Sequence, residues 1–135
     1  MIGRTPEKLD AVAVEVADDG GIATTYPCDI REEDKVKATI ARILDAHGRI
    51  DGLVNNAGGQ FPQSAELISK RGFEAVVANN LTGGFLVSRE LYKAHFKEHG
   101  GAIVNMSSVS AQRGGGVFGK VPSSSAKAAI LGFTK

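Results

Sequence analysis

The sequence has one cysteine, almost no net charge and no long apolar run. A lone Cys28 excludes an internal disulfide and fits a reducing compartment. A formal net charge of +1 gives no electrostatic case for a nucleic-acid partner or an anionic membrane surface. No stretch reaches the roughly 18 apolar residues that a bilayer span requires. No signal peptide is visible either, because a helix start follows within a few residues of Met1 and leaves no room for a leader. These absences lead us to expect a cytoplasmic protein. The 135 residues, 42% hydrophobic and 23% charged, are enough for one domain with its own core, and no repeat or linker divides them.

The most informative stretch runs from Ile50 to Phe61 and reads I-D-G-L-V-N-N-A-G-G-Q-F. It opens as an apolar strand and breaks at once into asparagines, alanine and glycines. Asparagine is depleted in strands, and glycine weakens them unless another backbone or a ligand comes close. In open parallel sheets, ligands lie beyond the carboxyl ends of strands. Asn55, Asn56, Ala57, Gly58 and Gly59 therefore read as the floor of a ligand site. Taken alone, the same residues also fit a tight turn that needs positive φ.

Around this stretch, helices and strands alternate. Thr5-Pro6-Glu7 starts a helix with the stripe Leu9, Val12 and Val16, which Gly20-Gly21 ends. Ile22 to Tyr26 reads as a strand. A second helix runs from Arg31 to His47, with Val36, Ile40, Ile43 and Leu44 on its buried face and Gly48 as its stop. Ser69 caps a long helix to His99, whose stripe includes Phe73, Val76, Asn80, Phe85, Ser88 and Tyr92. Gly100-Gly101 ends it, and Ala102 to Met106 forms a third strand. A polar, glycine-rich loop from Ser107 to Gly119 leads to a last helix capped by Ser123-Ser124-Ser125. This alternation predicts an α/β fold with a parallel sheet. Asp29-Ile30, Asn55 to Gly58, Ser107-Ser108 and Lys127 follow strand ends or open a helix, on the edge where such folds bind ligands.

The segments D-G-L-V-N-N-A-G, N-L-T-G-G-F, G-G-A-I-V-N-M-S-S and S-x-A-K-A-A-x-x-G-F-T-K resemble the short-chain dehydrogenase/reductases, in the expected order over nearly the whole chain. N-N-A-G-G-Q-F-x-x-x-A-E-x-I-S and K-E-H-G-G-A-I-V-N are similar to trans-2-enoyl-CoA reductases of peroxisomes, and V-P-S-S-S-A-K to 2,4-dienoyl-CoA reductases. The resemblance implies part of a Rossmann-like doubly wound sheet and hydride transfer from NADPH, with NADH possible, to an acyl-CoA-like substrate. Asp29 and Ile30 would border the adenine, and Asn55, Asn56, Ala57 and Gly58 would lie along the cofactor. Lys127 would hold the nicotinamide ribose, and Ser108 would orient the substrate oxygen. Asn80 would hold a water in a proton relay; an asparagine on a buried stripe is otherwise satisfied by backbone. Arg4 would pair with a 2′-phosphate. The family also implies homo-oligomers formed through the long helix, around Gly83-Gly84, and the last helix. No nucleic-acid or membrane partner is implied.

The chain departs from the family twice. The family's tyrosine stands four residues before the lysine, where this chain has Ser123. Dienoyl-CoA reductases also place serine there, but they carry an upstream tyrosine near the position of Ser110. An aliphatic hydroxyl is far less acidic than a phenol, so Ser123 does not supply the ordinary proton donor. The family's opening strand, glycine-rich phosphate-binding turn and helix are not in the sequence, nor is the C-terminal substrate-binding part. Two strands would then be missing between the first and second strands read here, leaving open edges. We therefore expect an isolated chain of marginal stability that grips NADPH poorly. A remnant without catalysis, serving as an interaction module, is the alternative.

Two motif matches carry no site. His95-Phe96-Lys97-Glu98-His99 fits H-x-x-E-H, but it ends a helix, where the dipole favours cations, and no acidic residue follows as a third ligand, so no metal is expected. Ser124-Ser125-Ala126-Lys127 fits S-x-x-K without the companion motifs of acyl-enzyme catalysts.

Overall fold

The computed structural model describes residues 1–114 and 119–135. Part of the predicted glycine-rich loop, residues 115–118, lies outside the described residues. The elements are β1 (Ile2–Gly3), α1 (Pro6–Asp18), β2 (Tyr26–Pro27), α2 (Glu33–His47), β3 (Gly52–Asn55), α3 (Lys70–Val77), α4 (Gly83–Leu91), α5 (Lys97–His99), β4 (Ala102–Asn105), α6 (Ser110–Arg113) and α7 (Val121–Thr134). Among the described residues the strands form two separate parallel pairs, β1 with β2 and β3 with β4. No described helix is long and apolar enough to cross a membrane.

The α/β architecture follows the helix signals in the sequence. Ser69 accepts a hydrogen bond from the Gly72 N–H, and Gly48 and Gly100 end their helices at positive φ, as expected. The core lies where α2 and α4 meet the strands: Cys28, Val36, Ile40, Leu86, Val87, Leu91 and Phe96 are buried, with Ile2, Ile30, Ile50 and Leu53 packed against them.

Four expectations need correction. First, Ile2–Gly3 forms a strand that the sequence pattern did not reveal, so one of the two strands thought missing between β2 and β3 is present. Second, of the expected Ile22–Tyr26 strand only Tyr26 is paired, and the strand runs on to Pro27. β1 begins at Ile2 opposite Tyr26, so the upstream residues have no ladder to join, and Ile22 is 97% exposed. Third, the serine triplet does not cap α7. Pro122 stands in the first turn with its φ already helical, and the helix starts at Val121; Ser125 instead bonds back to the Val121 carbonyl at 2.9 Å.

Fourth, the long helix is helical throughout but contains two π-turns, Ala78–Thr82 and Tyr92–Phe96. Each adds a residue to a turn and rotates the downstream residues around the axis. A constant 3.6-residue period therefore misassigns the later face. Leu86 and Val87 are buried, whereas Phe85 and Tyr92, placed on the stripe by the sequence, are exposed. The first π-turn also sets Gly83 against Ile30. A Cβ built on Gly83 would lie 2.6 Å from the Ile30 side chain and 3.3 Å from the Ala78 carbonyl.

Gly83→Ala is expected to destabilise the chain by about 1–3 kcal/mol through overpacking, and Ile30→Ala in the same chain to recover part of that loss. Denaturant unfolding of the single and double variants checks both.

Candidate functional site

β3 ends at Asn55, and its side chain ties four elements together. The Asn55 amide donates to Ser88 Oγ and to Asn105 Oδ1, each at 2.8 Å. Asn105 stands directly opposite in β4 and donates to Thr134 Oγ1 at 3.1 Å. Thr134 in turn donates to the Ile130 carbonyl at 2.7 Å. The ends of β3 and β4 are thereby fixed to α4 and α7.

The next residues run past Asn56 and Ala57 to Gly58 and Gly59. Neither glycine has positive φ, so the tight-turn reading that needed it is set aside. A side chain at Gly58 would make ordinary contacts with two functional groups. A Cβ there would stand 3.4 Å from Asn80 Oδ1 and 3.7 Å from Lys127 Nζ. The two side chains the sequence placed on different helices thus meet at one backbone position without a side chain.

Asn80 is buried in the first π-turn. Its Oδ1 accepts from the Gly59 N–H at 2.7 Å, and its Nδ2 donates to the Gly59 carbonyl at 2.9 Å. One N–H and one lone pair of the amide remain for a further partner. A cavity of about 20 Å³ lies beside it, lined by Asn55, Ala57, Asn80, Gly84, Asn105 and Phe133. Ile30, Leu81 and Ile130 complete a mostly apolar lining, and that volume, with the amides of Asn55, Asn80 and Asn105 on it, suits a single water.

Lys127, half-buried in α7, donates from Nζ to the Met106 carbonyl just past β4. Burial lowers the pKa of its ammonium from the ordinary lysine value. Ser107 Oγ donates to the Lys127 carbonyl at 2.9 Å, tying the strand end to the helix that carries the lysine. Ser108 is exposed and accepts from the Ser110 N–H and hydroxyl at 3.2 and 3.0 Å. Ser123, one turn before Lys127, is buried, as is Ser124, whose hydroxyl has no partner among the described residues.

At the far end of the floor, Asp29 follows β2 and is gripped by Arg31, whose Nε donates to both carboxylate oxygens at 2.8 and 3.1 Å. Those bonds lower the Asp29 pKa to about 2; the more distant Arg4 charge acts in the same direction. Arg4 itself is exposed. Ile30 lies against Gly83 and lines the same small cavity as Asn80.

Among the described residues no group of three or more His, Cys, Asp or Glu is placed to hold a metal. His95 and His99 stack at 4.4 Å, and His95 Nε2 accepts from the Ile50 N–H at 3.4 Å, so this pair braces the start of the β3 segment. The sequence reading missed Arg31, Ser88, Asn105, Met106 and Thr134 as supports, whereas Ser107 was already named beside Ser108. Two signals were available: an arginine two residues after Asp29, and an asparagine closing each of two apolar strands.

Comparison with known proteins agrees with the fold. A family profile described as short chain dehydrogenase matches residues 1–135. The 3-oxoacyl-[acyl-carrier-protein] reductase of Synechocystis sp. is 36% identical over 126 residues, 93% of this chain and 50% of that protein. The peroxisomal 2,4-dienoyl-CoA reductase of Danio rerio is 38% identical over 136 residues, 100% of this chain and 45% of that protein. A crystal structure of an actinorhodin polyketide ketoreductase variant with NADPH superposes with a TM-score of 0.91 at 32% identity, covering 98% of this chain and 51% of that one. The chain thus spans about half the length of the relatives it matches. With its partial doubly wound α/β fold and a profile match along its whole length, the chain belongs to the short chain dehydrogenase family of oxidoreductases.

Proposed function

We propose that this chain carries the nicotinamide-facing part of an NADPH-dependent reductase site for a conjugated acyl-CoA-like substrate. The observation that carries the reading is the convergence of Lys127 and Asn80 on Gly58, each within 4 Å of where its Cβ would stand. A bound nicotinamide cofactor supplies the hydride. The chain's own residues bind and orient. Asn55 to Gly58 form the floor, Asp29 and Ile30 border the adenine, and Lys127 holds the ribose. Arg4, near the Asp29 carboxylate and exposed, is available to a 2′-phosphate. NADPH is the preferred cofactor on that ground, and NADH the weaker one.

Reducing a C=C conjugated to a thioester places negative charge on the carbonyl oxygen, and the Lys127 ammonium is the cation available to it. Ser108 sits beyond β4 to orient that oxygen. Asn80 keeps one N–H and one lone pair for a water in the adjoining cavity, which gives the proton relay a place. Ser123 is buried at the position of the family's tyrosine, which favours C=C reduction over the phenol-assisted ketone reaction. The same serine also favours the second reading, an interaction module without catalysis.

NADPH oxidation measured with crotonyl-CoA and with a 2,4-dienoyl-CoA separates the two. We expect weak turnover that Lys127→Met abolishes; no turnover together with no NADPH binding removes the enzyme reading and leaves the module.

The Asp29–Arg31 pair gives a pH signature. The folded pKa is lowered, so its stabilisation is full above the unfolded value near 3.8 and is lost as pH falls through about 2. Urea unfolding of the parent chain and Asp29→Asn should differ by a constant amount from pH 7 to about 4, and that difference should shrink between about 4 and 2.

A further inference from the structure

Gly119 meets two demands at once, and neither leaves room for a side chain. Its φ is +58°, in the left-handed region that L side chains rarely adopt. A Cβ built there would also stand 2.5 Å from the Gln63 carbonyl carbon and 3.0 Å from the Gln63 nitrogen, and closer still to the carbonyl oxygen. These are backbone atoms, which cannot swing aside as the end of a side chain can. Gly20, Gly48, Gly100 and Gly114 also have positive φ, but nothing among the described residues lies within 4 Å of a Cβ at any of them. Those four follow helix ends, where conformation alone explains glycine. At Gly119 two main chains come together, and the Gln63 N–H donates to the Gly119 carbonyl at 3.0 Å.

Gln63 belongs to an exposed segment that starts on the floor of the candidate site. Gly59 is bonded both ways by the Asn80 amide, at 2.7 and 2.9 Å. Phe61 lays its ring on the first turn of α3, where a Cβ on Gly72 would be 3.4 Å from a ring carbon. Gln63 then reaches Gly119. The chain from 59 to 63 is thus pinned at every second residue, like a strap. Its far end is tied to the root of α7, because Gly119 directly precedes the Lys120 cap of that helix.

The strap closes a circuit. It leaves the floor next to Gly58, crosses to Gly119, and returns along α7 to Lys127. Lys127 Nζ stands 3.7 Å from where a Gly58 Cβ would be. The later part of α7 is tied elsewhere, to the end of β4. There Lys127 Nζ donates to the Met106 carbonyl, Ser107 Oγ to the Lys127 carbonyl, and Asn105 Nδ2 to Thr134 Oγ1. Lys127 therefore lies between two sets of ties, one from β4 and one from the loop after β3.

We propose that Gly119 is a positioning residue: its main-chain latch to Gln63 sets the gap between Lys127 and the Gly58 floor. Opening the latch frees the root of α7 from the floor, and Lys127 moves toward solvent. Lys127 matters to catalysis only through the reductase reading above, whereas its place in the fold does not depend on that reading. A failure here is therefore told apart from a failure there.

Two substitutions open the latch by different means in the full 135-residue chain. Gly119→Ala adds the Cβ, and Gln63→Pro removes the N–H while leaving Gly119 as it is. Gly48→Ala is the control, since its φ of +73° brings the same backbone strain at the end of α2 with no neighbour to meet. The readouts are hydrogen exchange of the Gln63 amide and the titration of Lys127 followed at its Cε by NMR. Burial lowers the Lys127 pKa in the parent chain, so release should raise the midpoint toward the ordinary lysine value. Gly119→Ala should speed Gln63 exchange roughly tenfold or more. It should also raise the Lys127 midpoint, as should Gln63→Pro, and Gly48→Ala should do neither. An unchanged midpoint in either latch variant that folds overturns the proposal, and Gln63→Pro decides alone if Gly119→Ala does not fold. An equal rise in Gly48→Ala also overturns it, since general loosening would then explain the shift.

Discussion

The pairing of β3 with β4, locked at its end by the Asn55 amide, is the constraint on which the candidate site depends. Four residues of ladder are a short attachment. The Asn55 side chain extends it sideways into Ser88 of α4 and forward through Asn105 to Thr134 of α7. A buried amide with its donors satisfied is rigid, and one left unsatisfied costs about 1–3 kcal/mol. The strand ends, the helix bearing Asn80 and the helix bearing Lys127 are therefore positioned together. Gly58 sits where the three meet, within 4 Å of Asn80 and Lys127.

Much of this was legible in the sequence, and the gaps have physical causes. Ser69 and the terminal glycines announce helix boundaries through local chemistry, which needs no tertiary partner. The order of helices and strands, and the placement of Asn55 and Ser108 at strand ends, follow from the sequence pattern; Lys127 was expected in the first turn of the last helix, but α7 begins at Val121 and sets it further in. Ile22 to Thr25 looked like a strand because its residues suit one, but a strand also requires a neighbour to pair with, and sequence composition is silent on that. Ile2–Gly3 was hidden for the opposite reason: two residues carry no periodicity, and only pairing with Tyr26–Pro27 makes them a strand.

The burial pattern of the long helix shows a different limit. Phe85 and Tyr92 fit an apolar stripe at constant period, and both lie outside the core. The π-turn at Ala78–Thr82 contributes both the error and a benefit. It brings Asn80 to the Gly59 backbone and Gly83 to Ile30, at the cost of breaking the regular face. The local rule fails where the candidate site is built, as expected when geometry serves a ligand and not only a core. Ser123 is the complementary case. The sequence placed it in the cap of the last helix; it lies instead inside the first turn of α7, buried one turn before Lys127, and a serine there has none of the acidity of a phenol.

The divided sheet also bears on how the molecule holds itself as a unit. In an uninterrupted sheet, each strand transmits order to the next through backbone hydrogen bonds. Here nothing of that kind crosses from the β1–β2 pair to the β3–β4 pair among the described residues. What links them is side-chain contact: α2 lying on α4, with the Arg89–Glu33 ion pair between them at 2.5 Å, and Ile30 against the bare backbone of Gly83. Such contact is adaptable where a ladder is directional. The floor that spans the two pairs, from Asp29 to Lys127, therefore has a width set by side-chain contacts and not by a ladder.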